Sequence, residues 1–433
     1  MSRLAFVRKG CWKLVACGLA ATALLGGCGG DDAGSAGTAG NGGGASGEEA
    51  SASFPKASAE QVAEVAKKAM NPDVDLGKLA PEIRTTFESA ANPLTPEQQK
   101  IWDRCIAQTI CDTGQGDKTV AYIGDQVQPY YSISIGEVLA TVIQSGEVKR
   151  FLRMQSNRVV SQFLTSFRQA IAQKVDVIVG EFGALGGQMG PVLAQAKAAG
   201  IPVINGATLP PPDVAKLLGI EIRATAGDMW RGDVASTLND HLKERGITNP
   251  TYAMFSGPAG NPYAASWQGA ADEAVAKFGW KRVYRGWEVW DPQGQAQAAS
   301  ALLASGKDPD VILTDIAPTQ FLEAYKKAGK ELPLVMVSGS IDVNALKGFQ
   351  QAKQEGENPD IWACSSQVWI LRAAVVAGLE VANGRERSSR VINYPLGAVP
   401  FDDVAKAVDL DVNSNAIAGN LLSPAMQNEA LKH

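Results

Sequence analysis

The sequence predicts an α/β protein of two lobes, each built on a parallel sheet with helices against it. Three observations carry this reading. The chain has 433 residues, too many for one compact core and enough for two or three domains. From Lys118 onward, short apolar runs alternate with helical stretches, and each crossover helix forces its flanking strands to be parallel. Near Thr251 the alternation starts again, so a second sheet of similar size follows the first.

Residues 1–27 read as an export signal. Arg3, Arg8, Lys9 and Lys13 precede the apolar stretch Leu14 to Leu25, which is too short to span a bilayer and suits a secretory h-region. It ends in Leu25-Gly26-Gly27-Cys28, which resembles a bacterial lipobox: a branched residue, two small residues beside the cleaved bond, then cysteine. The expected product carries diacylglycerol on the Cys28 thiol. That would anchor it on the extracytoplasmic face of a bacterial membrane, in the periplasm or at the cell surface. Residues 28–53 follow as a flexible tether. Nine of the 25 residues after Cys28 are glycine, and such a segment cannot bury enough surface to offset its ordering entropy. Its end-to-end distance as a coil is roughly 25–30 Å.

Residues 54–116 read as a helical N-terminal extension. Ala59 to Lys68 is rich in helix formers at near-3.6 spacing, and Asn71-Pro72 stops it. Thr95-Pro96-Glu97-Gln98 has the form of a helix start, with Thr95 as cap and Gln98 three residues on. Once Cys11 and Cys17 have left with the signal and Cys28 is lipidated, Cys105, Cys111 and Cys364 remain. Outside the cytoplasm a disulfide is permitted, so Cys105 and Cys111 are expected to close a small loop. A metal on this C-x5-C pair is the other reading, but no second pair or histidine accompanies it. Cys364 falls in an apolar run, as a buried thiol would.

In the first lobe the predicted strands are Thr119–Gly124, Phe151–Met154, Val175–Gly180, Pro202–Ile204 and Glu221–Arg223, with helices over Ile135–Ser145, Val160–Gln173 and Met189–Ala199. In the second they are Thr251–Phe255, Val283–Trp287, Val311–Thr314, Leu334–Val337 and Trp362–Ser365. Helices there are expected over Ser266–Phe278, Gln295–Ala304, Thr319–Ala328, Val343–Gln354 and Leu371–Ala382. Ligands of such sheets bind at the carboxyl ends of the strands, and two facing lobes create one cleft.

Composition excludes several functions. Forty Lys and Arg against 45 Asp and Glu give a charge of −5, and loss of the signal would make the chain more acidic. No basic cluster fits a nucleic acid. His241 and His433 are the only histidines, and neither a G-x-S-x-G elbow nor a metal cluster accompanies them, so catalysis is not expected. The loop Gly183-Ala184-Leu185-Gly186-Gly187-Gln188-Met189-Gly190 lacks G-x-G-x-x-G spacing and a Walker lysine, so no cofactor is expected.

Residues from about 118 to 400 resemble the type 1 periplasmic substrate-binding proteins of ABC importers, the ribose/galactose-binding-like group. The resemblance rests on Gln128-Pro129-Tyr130-Tyr131 after the first strand, Lys174-Val175-Asp176-Val177-Ile178-Val179, Ala198-Ala199-Gly200-Ile201-Pro202-Val203-Ile204, and Lys326-Lys327-Ala328-Gly329. It implies two Rossmann-like lobes joined by a three-strand hinge, with crossings near Ala224–Gly227, Ser365–Gln367 and Leu396–Pro400. Lobe 1 is then 117–224 plus 367–396, and lobe 2 is 225–366 plus 397–433 with the C-terminal return. It further implies closure around a small-molecule ligand, docking on an ABC permease, and a monomeric state.

By the same resemblance, ligand contacts are expected from Asp125, Gln128, Tyr130, Tyr131 and Glu181 in the first lobe. Asn205 and Thr208 occupy the place of a charged Asp-Arg pair typical of the sugar binders, and this departure weakens a standard ribose-like or galactose-like site. In the second lobe the expected contacts are Tyr263, Trp267, Trp290, Asp291, Asp315, Ser340 and Asp342, with Gln367 at the third crossing. The expected ligand is a sugar, a polyol or a related small polar molecule. An aromatic or partly apolar compound is the alternative, as is a sensory receptor of the same fold coupled to a kinase or chemoreceptor.

Overall fold

Three α-helices precede the first sheet of the computed structural model, which describes residues 54–433 apart from 72, 125–127, 157–158, 183–186, 207–211, 224–225, 365–367, 386–387 and 395. The signal, the whole tether with Cys28, Asp125, Thr208 and Gln367 are outside the described residues, as are one expected crossing and part of another. Helix α1 (Ala59–Lys68) starts at Ser58, whose hydroxyl accepts from Gln61 N–H while the Gln61 side chain accepts from Ser58 N–H. Helix α2 (Pro81–Ala90) begins on a proline. Helix α3 (Pro96–Cys105) carries the same reciprocal cap on Thr95 and Gln98 that the sequence predicts. A disulfide joins Cys105 to Cys111 on the short strand β1 (Ile110–Asp112).

The first sheet is built from β2 (Lys118–Gly124), β3 (Val148–Gln155), β4 (Val177–Gly180), β5 (Val203–Gly206) and β6 (Ile220–Arg223). The helices between them are α4 (Pro129–Ser145), α5 (Val160–Ala172), α6 (Gly190–Ala198) and the short α7 (Pro212–Ala215). The order across the sheet is β1-β3-β2-β4-β5-β6, with β1 antiparallel to β3 and the others parallel.

Helices α8 (Ala226–Arg231) and α9 (Val234–Glu244) lead into the second sheet. Its strands are β7 (Thr251–Ser256), β8 (Lys281–Trp287), β9 (Val311–Ile316), β10 (Leu334–Ser340) and β11 (Ile361–Ala363). Helices α10 (Pro262–Ala276), α11 (Pro292–Ala304), α12 (Thr319–Lys327) and α13 (Val343–Gln354) alternate with them. Their order is β11-β10-β9-β7-β8, all parallel.

After β11 the chain returns to the first sheet as α14 (Ile370–Ala382) and β12 (Val391–Asn393), which pairs parallel with β6. It crosses once more to β13 (Val399–Pro400), antiparallel to β11, and continues into α15 (Phe401–Ala407). Two mostly parallel sheets whose strands are linked by three chain crossings make a two-lobe α/β fold.

Strand alternation explains how these layers pack. On β2, Val120 and Tyr122 face a core shared with α4 and α14, while Ala121 and Ile123 face α5 and α6. On β7, Tyr252 and Met254 face α9 and α10, and Ala253 and Phe255 face α11 and α12. The first of these cores runs from α4 and α14 into α9 and α10, so one apolar body continues from lobe to lobe.

The N-terminal helices cover this body. Phe87 of α2 is fully buried, with its ring 4.9 Å from Trp369 and 5.6 Å from Tyr394. Those two residues flank the second and third crossings. Met70 reaches the second-lobe core beside Phe401 and Val404. At the C-terminus, Ile417 bridges to Asp342 of the second lobe, whereas α16 (Pro424–Ala430) packs on α4 of the first. Beneath it, buried Glu137 accepts from Arg372 and from Leu421 N–H.

Sequence reasoning missed α2, α7, α8, α9, α15, α16 and the strands β1, β12 and β13. The strands have two or three residues each, too few for a period-2 pattern to register. Gly227, expected within a crossing, is part of α8.

Candidate functional site

Each sheet has one point where its strand order reverses, and there the connections leave in opposite directions and open a crevice at the carboxyl ends. In the first sheet that point is between β2 and β4; in the second it is between β7 and β9.

At the first point, Gln128 and Pro129 start α4, so Tyr130 and Tyr131 occupy its first turn and not a free loop. Glu181 follows β4 directly. The Tyr130 hydroxyl donates to Glu181 Oε1 at 2.8 Å, and the two tyrosine rings meet edge-on at 5.3 Å. All three side chains are half-buried. Burial raises the Glu181 carboxyl to about 7, against the lowering effect of the Tyr130 hydrogen bond. Burial first, and then the neighbouring Glu181 carboxylate, holds the Tyr130 phenol well above its usual range.

At the second point, Ser256 ends β7 and Asp315 stands near the end of β9. Asp315 Oδ2 accepts from the Ser256 hydroxyl, from Trp290 Nε1 at 3.0 Å and from Gly257 N–H at 3.3 Å. Trp290 sits just beyond β8 with a left-handed backbone, φ 55°. Its ring rests on Gly257, where a Cβ would come within 2.1 Å of the indole. Gly339 plays the same part behind Asp315, since a Cβ there would meet the Asp315 carbonyl oxygen at 1.8 Å. Only glycine allows either approach.

Glu288 is fully buried beside Asp315. Its carboxyl accepts from the Thr314 hydroxyl at 2.5 Å and from Gln295 Nε2 at 3.2 Å. Burial first, and then the Asp315 charge, holds Glu288 well above the ordinary carboxylate range. Burial likewise raises Asp315, partly offset by its donors. The two carboxyls are also hydrogen-bonded to each other, which raises Glu288 and lowers Asp315. Tyr263, from the start of α10, donates to the Ser338 carbonyl at 2.6 Å, and its ring is 6.4 Å from Trp290.

The two halves converge. Tyr263 of the second lobe comes near enough to Tyr130 of the first to add to the raising of its phenol. Tyr130 and Tyr131 pair beside Glu181 at the first switch point, and Tyr263 and Trp290 pair beside Asp315 at the second.

Other expected contacts have partners within the fold. Trp267 is fully buried in the core next to α8 and α9. Asp291 caps α11, accepting from Gly294 N–H at 2.7 Å, and Asp342 caps α13, accepting from Ala345 N–H at 2.8 Å. Asn205 Oδ1 accepts from Phe182 N–H at 2.7 Å and ties β5 to the segment after β4. Ser340 ends β10, where its carbonyl accepts from Ala317 N–H. Cys364 is a buried free thiol, pushed up to about 12 by burial.

Sequence reasoning missed Ser256, Thr314, Glu288 and Gln295. The available signal was Trp287-Glu288-Val289-Trp290-Asp291, in which the acid between two tryptophans is the buried one. Among the described residues no cluster of His, Cys, Asp and Glu is arranged to hold a metal ion, and no helix is long and apolar enough to cross a membrane.

Comparison with known proteins gives the same architecture. Residues 144–386 match the family described as periplasmic binding protein domain. No curated protein sequence matches the chain. An ABC transporter periplasmic solute-binding protein from Actinobacillus succinogenes 130z with bound D-allose aligns with a TM-score of 0.55 at 16% identity, over 67% of this chain and 100% of that one. A solute-binding protein from Bacillus halodurans C-125 with bound myo-inositol gives 0.56 at 14% identity, over 68% and 99%. The arabinose transporter's binding protein from Shewanella sp. ANA-3, bound to L-arabinofuranose, gives 0.54 at 19% identity, over 67% and 94%. At these identities the likeness is one of fold.

Proposed function

The chain belongs to the periplasmic binding protein domain family, whose members are solute receptors and not enzymes, and from that premise we propose that it is a lipid-anchored receptor delivering a small polar solute to an ABC permease. The observation that carries the proposal is the convergence of Tyr130 and Glu181 from one lobe with Tyr263, Trp290 and Asp315 from the other. Aromatic faces cover the C–H surface of a hydroxylated ligand, and fixed carboxylates and amides take its hydroxyls. Sugars and polyols bound by structural neighbours support the same ligand class.

Anchoring through Cys28 rests on the Leu25-Gly26-Gly27-Cys28 motif and the glycine-rich segment after it. Closure of the lobes around the solute would present a changed surface to the permease.

Two experiments test this reading. A thermal-shift screen of the full chain against sugars, polyols, amino acids and small aromatics should give a hit that raises the melting temperature by several degrees; at 100 times its dissociation constant a ligand adds about 2.7 kcal/mol. Cys28→Ala should move the protein from the membrane fraction to the soluble fraction. An unshifted panel argues against the receptor role, and a membrane-bound Cys28→Ala protein argues against the anchor.

A further inference from the structure

We infer that the N-terminal helices and the C-terminal return form a clasp, which fastens the lobes to each other outside the three crossings and limits their swing. The inference concerns the fold and stands whichever solute the protein takes.

The N-terminal half of the clasp grips both lobes. In the first lobe its partner is α4. Gln144 Nε2 donates to the carbonyls of Ser89 at 2.9 Å and Asn92 at 2.8 Å, and Trp102 Nε1 donates to the Gly136 carbonyl at 3.1 Å. Ser388, between α14 and β12, donates its hydroxyl to buried Glu82 of α2. Helix α1 packs on α2 and also on α15 of the second lobe.

Met70 is the pin at the second lobe. It follows α1 with a left-handed backbone, φ 61°, and the next N–H, of Asn71, donates to the Ala66 carbonyl at 2.9 Å. Glycine is the ordinary residue at this place in a helix ending, because a Cβ is disfavoured there. Met70 is buried instead, 2% exposed, in the apolar cluster that holds Phe401 and Val404. Glycine would end α1 with less strain, but only a long apolar side chain reaches the second lobe.

The C-terminal half adds a fourth passage between the lobes. Beyond β10, Val343 N–H donates to the Ala416 carbonyl and Asn344 N–H to the Ser414 carbonyl, while Ala418 N–H donates to the Ile341 carbonyl at 2.8 Å. After Gly419 and Asn420 the chain is already on the first lobe. Leu421 N–H donates to Glu137 of α4, α16 packs on the same helix, and Arg153 of β3 donates to the His433 carbonyl at 2.8 Å.

Both halves meet on α4, which α2, α3 and α16 all contact. A lobe swinging about the crossings would have to draw Met70 out of the second core or stretch the Gly419-Asn420 span. The first exposes apolar surface, and the second breaks backbone hydrogen bonds.

The separation of the lobes can be read without any solute. Spin labels at Lys197→Cys on α6 and Lys307→Cys after α11, both exposed positions, would be placed in the full chain carrying Cys11→Ser, Cys17→Ser and Cys28→Ser. Cys364 is buried. Pulsed electron double resonance should give one narrow distance distribution. Met70→Gly keeps the helix ending and deletes only the pin, and it should broaden the distribution or add a second population. Two glycines inserted after Gly419 should do the same through the other half. Met70→Leu, which keeps an apolar pin, should stay narrow. A parent-like circular dichroism spectrum identifies the folded variants before distances are compared. A parent as broad as the variants, or Met70→Gly and the insertion both as narrow as the parent, overturns the clasp. No solute takes part, so neither result bears on the receptor reading.

Discussion

Trp290 Nε1 donates to Asp315 Oδ2 at 3.0 Å, joining the segment after β8 to the end of β9 across the mouth of the second switch point. The bond holds the indole in place from its edge, while Gly257 allows backbone contact with its face. The Trp290 ring is thus positioned by one hydrogen bond and one missing side chain.

Replacing Gly257 tests this positioning without touching either partner. In Gly257→Ala the new methyl group would overlap the indole, so Trp290 must swing away. Ligand affinity should fall about ten-fold or more, as expected for loss of an aromatic wall. The far-ultraviolet circular dichroism spectrum should stay unchanged. Unaltered affinity for the best ligand would show that Trp290 does not need its seat on Gly257.

Glu181 should make stability depend on pH in a defined direction. Its carboxyl titrates at about 7 in the folded protein, above the ordinary 4.5, so the folded state holds this proton more tightly than the unfolded state. The contribution is fully present below about pH 4.5 and is lost as pH rises towards 7. Glu181→Gln should therefore gain stability relative to the parent between pH 4.5 and 8, measured by urea denaturation at several pH values. The raised Glu288 and Asp315 cancel in that difference. Parallel curves would show that Glu181 titrates normally.

The ion pair Glu137–Arg372 is buried between α4 and α14, where Gln144 also accepts from Arg372 at 3.2 Å. Glu137→Leu leaves a guanidinium without its counter-charge and should cost about 3–5 kcal/mol. It also frees the Leu421 N–H, so α16 should become easier to cleave by limited proteolysis. The double variant Glu137→Leu with Arg372→Met should recover part of the loss, because it removes both charges.

Much of this architecture was legible because its signals are local. Capping at Thr95, the alternation of β2 and β7, and the helices α5, α12 and α13 all follow from spacing over ten to fifteen residues. The pairing of Tyr130 with Glu181 was half legible, since each residue directly follows or starts a recognisable element. What the sequence did not reveal depends on contacts between distant segments. Glu288 looks like any exposed acid until Thr314 and Gln295, from β9 and α11, enclose it. Asp291 and Asp342 look like ligand-binding acids until the helix N–H groups that they cap are in place. Trp267 and Trp290 look alike in sequence, and only packing buries the first in the core and leaves the second half-buried against Asp315.

Phe87 shows what the N-terminal helices contribute. Its ring packs edge-on against both Trp369 and Tyr394, which are themselves 4.9 Å apart. Phe87→Ala should cost about 3–5 kcal/mol in urea denaturation, as for other fully buried phenylalanines. A loss below about 1 kcal/mol would mean that the site collapses and the extension is only loosely seated.

The central claim is that the two lobes hold one solute between Tyr130 and Trp290. Its most direct test is calorimetric titration of the full chain, Tyr130→Ala and Trp290→Ala with the best ligand from the solute panel. Loss of measurable binding in both variants, one from each lobe, is the predicted result. Binding of unchanged affinity in either variant would contradict the claim and place the solute elsewhere on the protein.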